Sequence, residues 1–479
     1  MMSVNNMYHR TFFKLTTLTA TVVPASYGVA ATNDKQVDRP NIVVIVADDL
    51  LSSELSCYGG QNIETPNIDR IATEGVRFTQ NYASTAMSAP VRASMYTGLY
   101  PMRHGTYQNH KLSFDGTKTV NEYMKEEGYR VGRTGKDHPV TPSVYKFEEI
   151  PGFTRNCVAA KAPYHVNGIR EFITRNDDPF LLYVCSIHPH VPWTWGNPDE
   201  FDPDKLILPN ICVDTPQMRK VFTRYLAEIR ALDNEVGSVL QVLAESDKLD
   251  NTIVLFLGEQ GPQLPGGKWT NWYPGVHSAL LARYPDKIAA GRVSHAIVQY
   301  EDLLPTFIDI AGGEPRPELD GISFKKALFG ESEHARDYAY GIHNNFPEGN
   351  PYPIRSIRNE RYALIWNLTP EVPYHEKHYM KEPLSGVWSI WKTAANKDLR
   401  AKRLVNRFVH RPEFEFYDLK KDPWEMNNLA KKAKYRPRIQ EMKDLLEAWM
   451  QQQGDRGAEV DIPFQVIDYA TISKQPHKN

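Results

Sequence analysis

The sequence predicts an α/β fold, with a mostly parallel sheet between helices and a smaller α+β domain after it. Through the first two thirds of the chain, apolar runs alternate with helical patterns, as in strands joined by helices. Three runs are almost entirely apolar: NIVVIVA at 41–47, FLLYVCS at 180–186 and TIVLFLG at 252–258. Strands without polar alternation are buried on both faces, which is typical of parallel sheets.

The segments between these runs carry helix signals. The predicted elements are, in chain order, a helix at 120–128, a strand at 130–134, a helix from 216 towards 246, and a helix at 300–310. Thr215-Pro216 supplies a cap and a first-turn proline for the long helix. Gly312-Gly313 ends the last helix, which is interrupted or started near Pro305.

After about residue 335 the pattern changes. Short strands are predicted at 354–357, 362–366 and 414–419, and an amphipathic helix at 436–452. We therefore expect a larger α/β domain at 38–335 and a C-terminal α+β domain at 336–479.

The N-terminus has the pattern of a secretory signal. Basic residues (His9, Arg10 and Lys14) precede a modest apolar stretch at 15–23, and small residues follow at 28–31. This predicts a signal peptide over 1–31 and an exported protein, periplasmic or secreted. The apolar stretch is too short and too rich in threonine for a stable membrane insertion.

Charge and cysteine content exclude some classes of protein. With 56 Lys and Arg against 58 Asp and Glu, the net charge of −2 does not indicate a nucleic-acid partner. The four cysteines have no Cys-x-x-Cys spacing, so neither a zinc knuckle nor a dense disulfide framework is predicted. One or two disulfides stay open, and Cys185 is expected to be a buried thiol.

Polar residues follow four of the predicted strands. They are Asp48 and Asp49, Lys136 and His138, His190, and Glu259 and Gln260. In open α/β sheets ligands bind beyond the carboxyl ends of the strands, so these side chains are expected to meet at one edge. Each also has a simpler interpretation as a loop cap, a solvated side chain or a turn residue.

Three carboxylates and one amide in that group form an oxygen-only donor set. Asp48, Asp49, Glu259 and Gln260 suit a hard cation such as Ca²⁺ better than a transition metal, which favours histidine or cysteine.

The segment SAPVRASMYTG at 88–98 places a small nucleophile before a helix. Pro90 is suited to the first helical position, which puts Ser88 at an N-terminus that favours anions. Arg92 adds a planar fork of donors for a tetrahedral oxyanion. The alternative is that Ser88 only caps a surface helix.

This segment resembles the signature of the type I sulfatases: Cys or Ser, any residue, Pro, any residue, Arg, then a short helix ending in Thr-Gly. The Asp-Asp pair, Gly-Lys-Asp-His at 135–138, Pro-His-Val-Pro at 189–192 and Lys268 in GKWT are similar to further family motifs. YDL at 417–419 and DPWEMNNL at 422–429 match its C-terminal pattern. The segments 266–275 and 352–367 and the Trp- and Arg-containing run before Phe414 most resemble the sulfamidase (heparan N-sulfatase) branch.

The resemblance implies an alkaline phosphatase superfamily sandwich and specific site roles. Ser88 would be oxidised to formylglycine by a serine-type radical maturase, whose presence implies a bacterial host. Residue 88 would then join Asp48, Asp49, Glu259 and Gln260 around Ca²⁺. Glu259 stands where the family usually has Asp.

The catalytic roles follow from the same resemblance. Arg92 would orient residue 88 and the carboxylates, and Lys136 and Lys268 would hold the sulfate. His190 would protonate the leaving oxygen or nitrogen, and His138 would take a proton from residue 88 to expel sulfate. The substrate implied is a sulfated saccharide, carrying either a sulfate ester or a sulfamate.

Two other functions remain open. A phosphomonoesterase or phosphonate hydrolase uses the same scaffold, usually with two transition metals and histidine ligands. An inactive glycan-binding relative is the second, because Glu259 alters the metal site. Arg355 and Arg358 are further candidates to reach the substrate from the second domain.

Overall fold

The computed structural model describes residues 39–139, 141–158, 162–380 and 386–466, so the predicted signal peptide lies outside the described residues. The strands are β1 Asn41–Ala47, β2 Val76–Tyr82, β3 Arg130–Gly135, β4 Glu148–Glu149, β5 Phe180–Cys185, β6 Thr252–Gly258, β7 His277–Arg283, β8 Arg292–Gln299, β9 Ala339–His343, β10 Ile354–Arg358, β11 Tyr362–Asn367 and β12 Phe414–Asp418.

Eight strands form one large mixed sheet in the order β4-β3-β5-β1-β6-β7-β2-β8. The five strands from β4 to β6 in this order run parallel to one another, and β7 runs antiparallel to both β6 and β2. The predicted mostly parallel sheet is confirmed. Strands β2, β7 and β8, which complete the sheet on the side beyond β6, and the short β4 at the other edge were not predicted.

The central strand β1 is buried on both faces, as its apolar run predicts. Val43 and Ile45 pack into one hydrophobic core, while Ile42, Val44 and Val46 pack into the core on the opposite face. Successive side chains of a strand point to opposite faces, so an uninterrupted apolar run is required where helices cover both sides.

Thirteen α-helices lie within the described residues. They are α1 Pro66–Thr73, α2 Ser88–Thr97, α3 Pro101–His104, α4 Val120–Glu126, α5 Asn167–Thr174, α6 Pro216–Glu245, α7 Tyr273–Val276, α8 Leu303–Ile310, α9 Lys325–Phe329, α10 Lys377–Met380, α11 Val387–Ala395, α12 Leu399–Val409 and α13 Arg436–Gln452. Thr215 caps α6 by accepting from Met218 N, as predicted. A 3₁₀ turn at Tyr300–Asp302 precedes α8.

Helix α2 differs from the prediction in one detail. Ser88 is its first residue, so Pro90 is its third residue and not its first. All ten residues of α2 are buried. The interpretation of Ser88 as the cap of a surface helix is therefore wrong.

A second sheet is antiparallel, in the order β12-β11-β10-β9, and α13 packs on it through Met442 and Leu446. It agrees with the predicted smaller α+β part, although β9 was not predicted. The domain boundary at 335/336 stays a prediction. Within the described residues no helix is both long and apolar enough to span a bilayer.

Arg355 and Arg358 do not reach towards a substrate. Both are buried in β10, where Arg355 pairs with Asp455 and Arg358 with Glu425. These arginines stabilise the second sheet and its contacts.

Candidate active site

Four neighbouring parallel strands deliver the predicted residues to one edge of the sheet. Asp48 follows β1, Lys136 follows β3 and Glu259 follows β6, and the loop after β5 carries His190. Backbone hydrogen bonds lock these ends together: Glu259 N donates to Ala47 O at 2.9 Å and Lys136 N to Cys185 O at 2.8 Å. The predicted convergence is confirmed.

Ser88 lies within this group because α2 begins against the strand ends. Lys136 Nζ donates to Ser88 Oγ at 2.9 Å, and Gln260 Nε2 lies 3.4 Å from the same oxygen. The side chain is only 4% exposed, at a helix N-terminus whose dipole favours negative charge. The hydroxyl is thus held by a cation and an amide at a position suited to anionic chemistry.

Three cations and three carboxylates pair with one another at the site. Lys136 Nζ lies 2.8 and 2.7 Å from the two oxygens of Asp48. Lys268 Nζ lies 2.8 Å from Asp49 Oδ1. Arg92 Nε donates to Glu259 Oε2 at 2.8 Å. The charges balance within the described residues, which is what burial of six ionic groups demands.

Burial and pairing act against each other on the pKa values here. Burial alone would lower the pKa of Lys136, but the carboxylates of Asp48 and Glu259 raise it above its ordinary value. Burial raises the pKa of Asp49, and the charges of Lys268 and Lys136 oppose that rise. Asp49 also adopts a φ of 62°, a left-handed conformation that Asp tolerates better than most residues.

The donors fit a hard divalent cation. Asp48, Asp49, Glu259 and Gln260 are each 0% exposed. Glu259 Oε1 and Gln260 Oε1 are buried and accept no hydrogen bond from the described part of the chain. Leaving such acceptors without a partner costs free energy, and a bound cation would satisfy both. The other oxygen of Glu259 is occupied by Arg92 and Lys136, which leaves one oxygen available.

Both predicted histidines lie beside cations; His190 is buried and His138 is partly exposed. Burial, together with Lys136, lowers the pKa of His138 well below its ordinary value. Burial, together with Lys268 and Lys136, does the same for His190, whose Nε2 lies 3.6 Å from Asp49 Oδ2. A neutral imidazole suits the base role expected of His138. The acid role of His190 requires protonation, which the charge of a bound anion would favour.

Two residues that were not predicted also belong to the site or support it: Cys157 and Glu228. Atoms of Cys157, Asp48 and His190 lie within 4.8 Å of one another. Burial raises the pKa of Cys157 to about 11, so it remains a thiol. All four cysteines, including Cys185, are free. No sequence signal placed Cys157 here, because the loop that carries it has no motif.

Glu228, on α6, fixes the loop that carries His190. It is fully buried and accepts hydrogen bonds from the backbone N–H groups of Thr194 and Trp195, each at 2.8 Å, and from the ring of His188. These three partners flank His190 on both sides. A polar residue on the core face of a long helix was the signal that could have revealed this role.

Comparison with protein families identifies two matches. Residues 40–313 match the model described as "Sulfatase". Residues 270–382 match the model described as "N-sulphoglucosamine sulphohydrolase, C-terminal". The second match confirms the predicted resemblance to the sulfamidase branch.

Characterised relatives and solved structures agree. An ulvan-active sulfatase of Formosa agariphila is 28% identical over 90% of this chain and 84% of the relative. The human N-sulphoglucosamine sulphohydrolase is 26% identical over 86% of this chain and 90% of the relative.

Among solved structures, one in complex with its substrate D-glucosamine-2-N,6-O-disulfate has a TM-score of 0.68 at 24% identity, over 87% of this chain and 99% of the other. The phosphonate monoester hydrolase of Agrobacterium radiobacter has a TM-score of 0.65 at 20% identity, over 87% of this chain and 96% of the other. These likenesses show that the chain shares the fold of these two structures. With residues 40–313 matching its model, the chain belongs to the sulfatase family and is a sulfuric ester hydrolase.

Proposed function

We propose that this chain is an exported, calcium-dependent sulfatase that removes sulfate from a sugar of a sulfated glycan, using formylglycine derived from Ser88. One observation carries the proposal: Ser88 Oγ lies 2.9 Å from Lys136 Nζ, beside four buried oxygen donors and at the start of a buried helix. Relatives named for ulvan and for N-sulphoglucosamine support a saccharide substrate, with N-sulfoglucosamine as one candidate.

Asp48, Asp49, Glu259, Gln260 and residue 88 would hold Ca²⁺. The ion would supply Lewis-acid polarisation of the sulfate, and formylglycine would supply a hydrated aldehyde as nucleophile. The available oxygens of Glu259 and Gln260 support this assignment. The oxygen-only set also favours a sulfatase over a phosphatase that uses two transition metals.

Each residue of the site would have its own role in the reaction. Lys136 contacts Ser88, and Lys268 pairs with Asp49. Both lysines would stabilise the charge that develops on the sulfate. His190 would donate a proton to the leaving oxygen or nitrogen, and His138 would accept a proton from residue 88. Arg92 would keep the carboxylate of Glu259 oriented towards the ion.

The first test is the mass of the tryptic peptide at 78–92, from protein produced with and without a serine-type maturase. We expect a loss of two hydrogen atoms only with the maturase, and fragment ions must place it at Ser88 and not at Ser84. The Ser88→Ala variant is the matched control and should show no loss. An unmodified Ser88, with the maturase active on a control protein, would contradict the proposal.

The second test is sulfate release by the modified protein. We expect release from N- or O-sulfated sugars, little hydrolysis of a phosphate monoester, loss of activity in EDTA and its return with Ca²⁺. Faster hydrolysis of the phosphate monoester would instead support the phosphomonoesterase alternative. Calcium binding with tight sugar binding but no hydrolysis would support the glycan-binding alternative.

A further inference from the structure

A second group of polar side chains lies outside the strand ends. We name it the rim cluster: Asn109, His110, Glu348, Glu376 and His378. Glu348 is at its centre and fully buried. Asn109 Nδ2 donates to it at 2.5 Å, His378 Nε2 lies 2.5 Å from it, and His110 Nε2 lies 3.4 Å from it. One carboxylate therefore orients two histidines that come from distant parts of the chain.

The rim cluster borders the catalytic residues on two sides. The ring of His110 meets that of His138 edge-on, with centroids 6.2 Å apart. On the other side, Trp269 follows Lys268 in sequence and stacks on His378 at 5.2 Å and 11°. His110 thus stands next to the base expected to act on residue 88. The Trp269 ring links His378 to Lys268, whose Nζ lies 5.1 Å from the centroid of that ring.

The exposure of these side chains is graded. Those of His110 and His378 are 25% and 26% exposed, whereas that of Glu348 is 0% exposed. Burial alone would raise the pKa of Glu348, but the hydrogen bonds and charges of both histidines hold it well below its ordinary value. An ionised, buried carboxylate thus holds the Nε2 atoms of two imidazoles. Because Nδ1 of His110 is a buried atom, His378 is the ring that can offer its second nitrogen to a ligand.

We propose that the rim cluster is the subsite for the sugar that carries the sulfate, with His378 binding a hydroxyl group and Glu348 positioning the rings of His378 and His110. This inference rests on the proposed saccharide sulfatase function and names the residues that recognise the leaving group. Imidazole edges match neutral hydroxyls, while the strand-end cations match the sulfate. The subsite comes largely from the segment matched by the sulphohydrolase C-terminal model.

The test separates sugar binding from sulfate binding. In the Ser88→Ala background, calorimetry would measure affinities for D-glucosamine-2-N,6-O-disulfate and other sulfated monosaccharides, and for inorganic sulfate. We expect Glu348→Gln and His378→Gln to weaken sugar binding about 10-fold, with sulfate affinity changed less than about 2-fold. Glu371→Gln, an exposed change nearby, is the matched control and should alter neither.

A kinetic readout distinguishes positioning from a structural role. In the modified enzyme, Glu348→Gln should raise KM more than it lowers kcat, because the hydroxyl contacts are made with bound substrate. If Glu348→Gln fails to fold, the partly exposed His378→Gln carries the same expectation.

Three outcomes would overturn the inference. They are equal loss of sugar and sulfate affinity, no loss of either, and a metal ion that metal analysis finds at Glu348, Glu376 and His378, whose ligand atoms lie within 4.8 Å of one another. A wild-type enzyme that releases no sulfate would refute the proposed function, and the binding experiment would still decide the subsite.

Discussion

The strand-end site and the rim cluster contain similar side chains but differ in solvent exposure and in how their charges are paired. At the strand ends, Asp48, Lys136 and Glu259 are 0% exposed, and each charge is cancelled by a neighbour. In the rim cluster, Glu348 is buried but its two histidines reach solvent. The first arrangement suits a small, highly charged group that is fully desolvated. The second suits a larger, neutral group that remains partly hydrated.

The two regions also differ in how the chain builds them. The strand-end residues directly follow neighbouring parallel strands, so the sheet places them together. Glu348 instead follows an antiparallel strand of the second sheet, and His110 lies in a loop before α4. The position of each strand-end residue directly after a strand therefore places it in the site, whereas packing between distant segments assembles the rim cluster.

The largest effect should come from the nucleophile. Ser88→Ala should lower sulfate release by about 10⁴-fold or more, because no other described side chain replaces the reacting group. Inorganic sulfate should still bind, since Lys136 and Lys268 are retained. Rates and calorimetry on the same preparation would check this, and activity within 10-fold of wild type would remove Ser88 from the mechanism.

Breaking an ion pair at the strand ends should cost stability. Arg92→Gln leaves the buried carboxylate of Glu259 with a weaker partner, and we expect a free energy of unfolding lower by about 3 to 5 kcal/mol. Arg70→Gln, which breaks the exposed pair with Glu74, should cost less than about 1 kcal/mol. Urea titrations in EDTA would measure both, and equal costs would contradict the contrast between buried and exposed pairs.

A buried carboxylate outside both regions sharpens the comparison. Burial raises the pKa of Glu301 from 4.5 to about 7, opposite in direction to the shift of Glu348. The protonated form is favoured in the folded state, so the stability that it contributes is complete below about pH 4.5 and lost as pH rises to about 7. As the pH rises from about 4.5 to about 7, the free energy of unfolding of the wild-type protein should therefore fall by about 3 kcal/mol relative to that of Glu301→Gln.

Unfolding titrations at pH 5, 6 and 8 would test this prediction. Glu314→Gln, an exposed substitution on the same part of the chain, should follow the wild-type pH dependence. Parallel curves for wild type and Glu301→Gln would show that Glu301 keeps its charge throughout.

The smallest effect should come from the support of the His190 loop. Glu228→Gln keeps the size of the side chain but presents an N–H group to one of its three donors, so we expect kcat/KM to fall about 10-fold. Glu245→Gln, on the exposed end of the same helix, should leave the rate unchanged. A pH–rate profile would show whether the alkaline limb, which reports the acid His190, moves. A purely structural defect would lower the amplitude without moving that limb.

Much of the fold could be predicted from patterning. The apolar runs of β1, β5 and β6 predict a sheet covered on both faces, and Thr215-Pro216 predicts the start of α6. The strands β2, β7 and β8 could not be predicted in the same way. Their sequences mix polar and apolar residues, so none gives the nearly uninterrupted apolar run that marks β1, β5 and β6.

The sequence by itself determined most of the strand-end site, because Asp48, Lys136, Glu259 and Ser88 each stand beside a strand end or a helix start that local patterning reveals. Only the tertiary structure decided that Glu259 shares one oxygen with Arg92 and Lys136, that Cys157 lies beside Asp48, and that Glu348 joins His110 to His378. Those contacts join residues far apart in the chain. Their energies depend on burial and distance, which no local pattern specifies.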